Sequence, residues 1–148
     1  MRVGNRILLI EDDAPLRRSL EKFLERAGYT FDSCATARDA LALAEKHRHV
    51  IVLVEYHLPD SNGTSLLEKL KRIVPHVAAV MISEYDFQSV ANDIGNRADV
   101  LFFLKKPFDV ADLESALSSA CSGICPSRSV GERKQEMFFE GIPAFTLR

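Results

Sequence analysis

The sequence predicts an α/β fold: a doubly wound, five-stranded parallel sheet with helices on both faces. Three observations carry that expectation. Five short strand-like runs recur along the chain, RILLIE, TFDSC, VIVLV, VAAVMI and VLFFL. Each is followed by a stretch whose apolar residues recur at helical spacing. The central run, Val50 to Val54, is apolar without a break, as in a strand covered on both faces. Strands that alternate with helices in this way form parallel sheets.

The elements follow in order. Residues 6–11 form the first strand, and Leu16, Leu20, Phe23, Leu24 and Ala27 then mark one face of a helix that Gly28 stops. Asp13 can cap that helix, and Pro15 is tolerated in its first turn. Residues 30–34 form the second strand. Thr36 with Asp39 opens the second helix, whose apolar face is Ala37, Ala40, Leu41 and Ala44. After the third strand, the Asn62-Gly63 turn leads into a helix bearing Leu66, Leu67, Leu70 and Ile73, ended by Pro75. Residues 77–82 are the fourth strand and 86–95 a weaker helix around Val90, Ala91 and Ile94. Residues 100–104 are the fifth strand, and Asp109 caps a last helix with Val110, Leu113, Ala116, Leu117 and Ala120.

At 148 residues, 47% hydrophobic and 27% charged, the chain fits one domain with a modest surplus at its end. The expected boundaries are 1–121 for the domain and 122–148 for a linker-like tail with an apolar end. A net charge of −2 supplies no basic footprint for nucleic acid or membrane surfaces. No run reaches the roughly 18 apolar residues of a spanning helix. The opening MRVGNRILLIEDD is unlike a signal peptide, so the expected location is cytoplasmic. Cys34, Cys121 and Cys125 lack zinc-ligand or thioredoxin spacing and read as thiols of a reducing compartment. His47, His49 and His76 show no shared face or ligand spacing and read as surface residues.

In open parallel sheets, sites form just beyond the carboxyl ends of the strands. The residues leaving those ends here are Glu11 and Asp12, Glu55, Ser83, then Lys105 and Lys106 before Pro107. Carboxylate and carbonyl oxygens suit Mg²⁺, and a lysine with a small hydroxyl suits a phosphoryl oxygen.

With ILLIEDD, the LPDSNG segment after the third strand, Ser83 and FFLKKPF in this order, the sequence resembles the receiver domain of two-component response regulators over about residues 5–121. The resemblance implies a (βα)5 flavodoxin-like fold with strand order 2-1-3-4-5. It implies that Glu11, Asp12, Glu55 and the carbonyl of His57 surround Mg²⁺, and that Glu55 holds the phosphoacceptor position. Ser83 matches the switch hydroxyl, Phe103 the switch aromatic and Lys106 the lysine that contacts the phosphoryl group. The implied partners are a sensor histidine kinase or phosphotransfer protein and a downstream protein. The face of the fourth helix, fifth strand and fifth helix is the implied partner surface and a surface for a homodimer; a homodimer through the tail is a separate expectation from its apolar residues. The function is regulatory, not enzymatic.

The family has aspartate where this chain has Glu55. The additional methylene moves the carboxylate by about 1.5 Å, a bond length. A misplacement of about 1 Å can cost on the order of 100-fold in a positioned reaction. Several readings stand open: a receiver held nearer its active form because the longer carboxylate imitates a phosphoryl oxygen, a docking module that has lost switching and metal, or an engineered replacement. In the second, Glu55 pairs with Lys106 and competes with Mg²⁺. Ser83 alone reads equally as a helix cap, and Phe103 as ordinary core. Residues 121–135 are rich in Ser, Gly, Pro and charge, whereas 136–148 are apolar again. Phe138, Phe139, Ile142 and Phe145 are expected to dock on the domain or on a second copy.

Overall fold

Every strand and helix expected from the sequence forms, with ends shifted by one or two residues. The computed structural model describes residues 6–95, 100–121 and 146–147. The elements are β1 (Arg6–Ile10), α1 (Ala14–Arg26), β2 (Thr30–Cys34), α2 (Ala37–Lys46), β3 (Ile51–Glu55) and α3 (Gly63–Ile73). They continue with β4 (Ala78–Ser83), α4 (Phe87–Ile94), β5 (Val100–Lys105), the two-residue β6 (Phe108–Asp109), α5 (Val110–Cys121) and β7 (Thr146–Leu147).

The sheet order is β2-β1-β3-β4-β5 with every pairing parallel. From β1 the chain steps outward to β2, then returns past β1 to β3. The order therefore reverses between β1 and β3, the position where such sheets open a crevice. Every residue of β3 is buried, as its unbroken apolarity requires.

The helices divide between the two faces. On one, Leu16, Leu20 and Leu24 of α1 and Leu113, Ala116 and Leu117 of α5 pack on Ile7, Leu9, Leu53 and Val80. On the other, Ala40, Leu66, Leu70 and Ile94 pack on Leu8, Val52, Val54 and Met81. A register shift between Ala79 and Val80 interrupts the alternation of the β4–β5 ladder. Val100 and Phe103, three residues apart, accordingly share the α2–α4 face.

The helix starts follow their sequence signals. Asp13 accepts from Leu16 N, Thr36 from Asp39 N and Asn62 from Ser65 N, each satisfying an otherwise orphaned donor. At α5, Asp109 accepts from Asp112 N at 2.8 Å. Ser83 does not cap α4: the N-cap position is Asp86, and Ser83 Oγ instead accepts from Tyr85 N at 2.9 Å inside the preceding loop.

Of the tail, Thr146–Leu147 pairs antiparallel with Phe108–Asp109. Phe138, Phe139, Ile142, Phe145 and Cys125 lie outside the described residues. Among the described residues, no helix is long and apolar enough to cross a membrane.

Candidate functional site

The strand ends deliver their polar residues to one rim. Glu11 directly follows β1, Glu55 ends β3, Ser83 ends β4, and Lys106 directly follows β5. Asp12, Glu55, His57, Ser83 and Lys106 line one cleft of about 170 Å³. Backbone bonds fix the rim: Tyr56 N donates to Ile82 O and Lys106 N to Ser83 O, both at 2.7 Å. The Lys106-Pro107 bond is cis.

Lys106 is the centre of the cleft. Its Nζ lies 2.5 Å from Glu55 Oε1 and 3.3 Å from Glu11 Oε2. Glu55 Oε2 accepts from His57 N at 2.8 Å, while Oε1 is buried and held by the ion contact with Lys106 rather than by a hydrogen bond. Glu11 Oε2 also accepts from Asp13 N at 3.1 Å, whereas Glu11 Oε1 is buried without a hydrogen-bond partner. Glu11 is fully buried and Glu55 nearly so, while Asp12 is exposed.

One ammonium facing three carboxylates leaves the cleft negative. The imbalance appears in the acid with the least solvent: burial, and after it the Glu55 charge, push Glu11 up to about 7 against the pull of Lys106. Burial alone would lower Lys106, but the contact with Glu55 and the Glu11 charge outweigh it and hold the ammonium above its ordinary range.

Glu11, Asp12 and Glu55 each bring a carboxylate oxygen within 4.8 Å of the others. These hard oxygen donors, the excess negative charge and the orphaned Glu11 Oε1 fit Mg²⁺. The opposing feature is Lys106, which already engages two of the three acids.

Two features of the surrounding loop escaped the sequence reading. Tyr56 donates its hydroxyl to Asp93 on α4, and Thr64 Oγ1 lies 2.7 Å from Asn62 Oδ1 and 3.2 Å from the same Asp93. The loop that follows Glu55 is thus tied to α4. Asp60 accepts from Ala37 N and Arg38 N at the start of α2, tying it to a second helix. Polar residues one, five and nine positions after the acceptor give no such signal until the helices are placed. Gly63, by contrast, has a purely steric reason: a Cβ there would lie 2.8 Å from Met81 Sδ and 3.1 Å from Glu55 O. Only a glycine lets α3 start directly beneath Glu55.

Phe103 is fully buried and stacks edge to face on Phe87 of α4, with ring centres 5.6 Å apart. It packs as core in this state. The reading of the outer histidines as surface residues holds for the exposed His47 and His76 and is corrected for His49. His49 is buried at 1% exposure, and His47 and His49 both converge on Asp32.

Fold and cleft together define a receiver-type regulatory domain. The family described as the response regulator receiver domain matches residues 7–118. Transcriptional regulatory protein PdtaR of Mycobacterium tuberculosis is 32% identical over 123 residues, covering 81% of this chain and 58% of that protein. Transcriptional regulatory protein HptR of Staphylococcus aureus is 29% identical over 116 residues, covering 76% and 44%. A CheY-like receiver domain from Methanospirillum hungatei superimposes with a TM-score of 0.74 at 29% identity, covering 80% of this chain and 94% of that one. The chain belongs to the response regulator receiver domain family of two-component signalling. It spans about half the length of the curated relatives it matches.

Proposed function

We propose that this receiver works with a glutamate at its acceptor position, and that the Glu55–Lys106 pair stands where a phosphoryl group would otherwise sit. The observation that carries the reading is the 2.5 Å contact between Glu55 Oε1 and Lys106 Nζ. The longer side chain reaches the ammonium directly, which leaves little room for a transferred group. Phosphotransfer to Glu55 is impaired, and one carboxylate charge replaces the roughly two of a phosphate, so the imitation is partial.

In this reading Glu11, Asp12, Glu55 and the His57 carbonyl form the cation site, and Mg²⁺ binds weakly because Lys106 competes for two of its acids. Ser83 and Phe103 are the reporting residues, Ser83 in the cleft and Phe103 against α4. The domain regulates by contact rather than turnover. Its partners are a sensor histidine kinase or phosphotransfer protein upstream and a protein, or a second copy of the chain, downstream. The pairing of Thr146–Leu147 with Phe108–Asp109 supports a docking role for the tail.

Lys106 contacting Glu11 as well as Glu55 favours a second reading, a metal-free docking module without switching. A titration with Mg²⁺ and beryllofluoride, a phosphoryl mimic, separates the two. Glu55→Asp should bind both and shift its amide spectrum, with the unsubstituted chain responding weakly to Mg²⁺. No response from either protein would support the metal-free module.

A further inference from the structure

At the end of the sheet opposite the acidic cleft, two imidazoles and a carboxylate meet. Asp32 lies on the edge strand β2, opposite Leu8 of β1. His47 is the C-cap residue of α2, and His49 lies in the short connection to β3. Because α2 runs back against the strands, its end and the start of β3 return the chain to the amino edge of the sheet. There His49 Nε2 lies 2.7 Å and His47 Nδ1 3.1 Å from the same oxygen, Asp32 Oδ2.

We propose that Asp32, His47 and His49 form a binding site for a transition-metal dication of the zinc type. The three ligand atoms lie within 4.8 Å of one another. Metal–ligand bonds of about 2.0–2.1 Å in a tetrahedron separate neighbouring ligands by roughly 3.4 Å, so the observed cluster needs only a small adjustment. Each ring nitrogen now points at Asp32 Oδ2, the direction from which it would donate a lone pair to an ion held between them.

The surroundings suit ligation. His49 Nδ1 is buried without a hydrogen-bond partner, so nothing on the far side of the ring fixes which nitrogen carries the proton. Nε2 takes a metal bond in the neutral tautomer that carries the ring proton on Nδ1. Exposure rises outward, from 1% for the His49 side chain to 18% for Asp32 and 44% for His47, which gives an ion a path in. Two imidazoles with one carboxylate prefer zinc, nickel, copper or cobalt over magnesium, and three protein ligands leave a fourth position to water.

The neighbouring cation sets a limit. Arg6 Nη1 lies 3.2 Å from Asp32 Oδ2 and 3.4 Å from Oδ1, so it can retain Oδ1 while the ion takes Oδ2. Its charge opposes a dication and favours ions that gain most from imidazole bonds. It also supplies a signature that a plain hydrogen-bonded cluster lacks: neutralising it should tighten metal binding.

The test uses the full chain, freed of metal by chelation, with Co²⁺ as the visible probe. The expected result is a d–d absorption typical of imidazole-bound Co²⁺, displaced by Zn²⁺ and unaffected by Mg²⁺. His47→Ala should weaken it by about tenfold or more, Arg6→Gln should strengthen it, and Asp12→Asn should leave it unchanged. His47 is partly exposed, so its replacement keeps the fold even where a His49 variant does not. Absence of the absorption, its survival in His47→Ala, or its loss in Asp12→Asn would each overturn the assignment. The last of these would place the ion in the acidic cleft, a result independent of whether Glu55 accepts a phosphoryl group.

Discussion

Lys106 and Glu55, from positions 51 residues apart, meet in a 2.5 Å ion contact at the mouth of the sheet's crevice. The pairing follows from local rules. Gly63 lets α3 begin beneath β3, His57 N holds one oxygen of Glu55, and the other is left facing the ammonium. A buried pair of this kind contributes little net stability against well-packed apolar residues, but removing one partner strands the other charge.

Lys106→Met should therefore destabilise the domain by about 3 kcal/mol, since Glu55 and Glu11 would be left buried without their cation. Urea unfolding of the two proteins at neutral pH measures it. A loss below about 0.5 kcal/mol would mean that the acids find other compensation.

Gly63→Ala tests the close approach beneath the acceptor. Met81 Sδ at 2.8 Å can swing aside, but the backbone at Glu55 and Tyr56, 3.1 Å away, must shift as a unit. The expected cost is about 1–3 kcal/mol of overpacking. Unchanged stability would show that the loop yields freely.

Cys34 gives a pH-dependent prediction. Burial pushes its thiol up to about 12, from an ordinary value of 9.0. The thiolate is the reactive form, so at pH 8 alkylation should run roughly 1,000-fold below that of an ordinary thiol. The rate should rise about tenfold per pH unit until the pH approaches 12. Rapid modification of Cys34 at pH 8, located by peptide mapping, would contradict the burial.

The β6–β7 ladder joins Thr146–Leu147 to Phe108–Asp109, beside the loop that carries Lys106. Deleting residues 126–148 should lower the melting temperature or alter the oligomeric mass. If neither changes, the tail has no docking role.

The strands were legible because β-branched, unbroken runs such as VIVLV can hardly be anything else in a short α/β chain. The rim residues were legible because parallel sheets put their strand ends together, and Glu11, Asp12, Glu55, Ser83 and Lys106 were read from that rule. Whether Glu55 would reach Lys106 or a cation turned on a separation of one bond length, which no spacing encodes. The convergence of His47 and His49 was missed for a different reason. Two residues apart in the irregular connection after α2, they share no periodic face, and they converge only because Asp32 arrives from another strand. The Tyr56–Asp93 bond likewise joins segments whose meeting depends on the packing of α4.

The most direct measurement is intact-mass analysis after incubation with a small-molecule phosphodonor and Mg²⁺, on the unsubstituted chain and on Glu55→Asp. Shortening the side chain by one methylene should open space before Lys106, and the variant alone should gain one acid-labile, hydroxylamine-sensitive phosphoryl group. Labelling of Glu55 itself at a rate comparable to the aspartate variant would contradict the account.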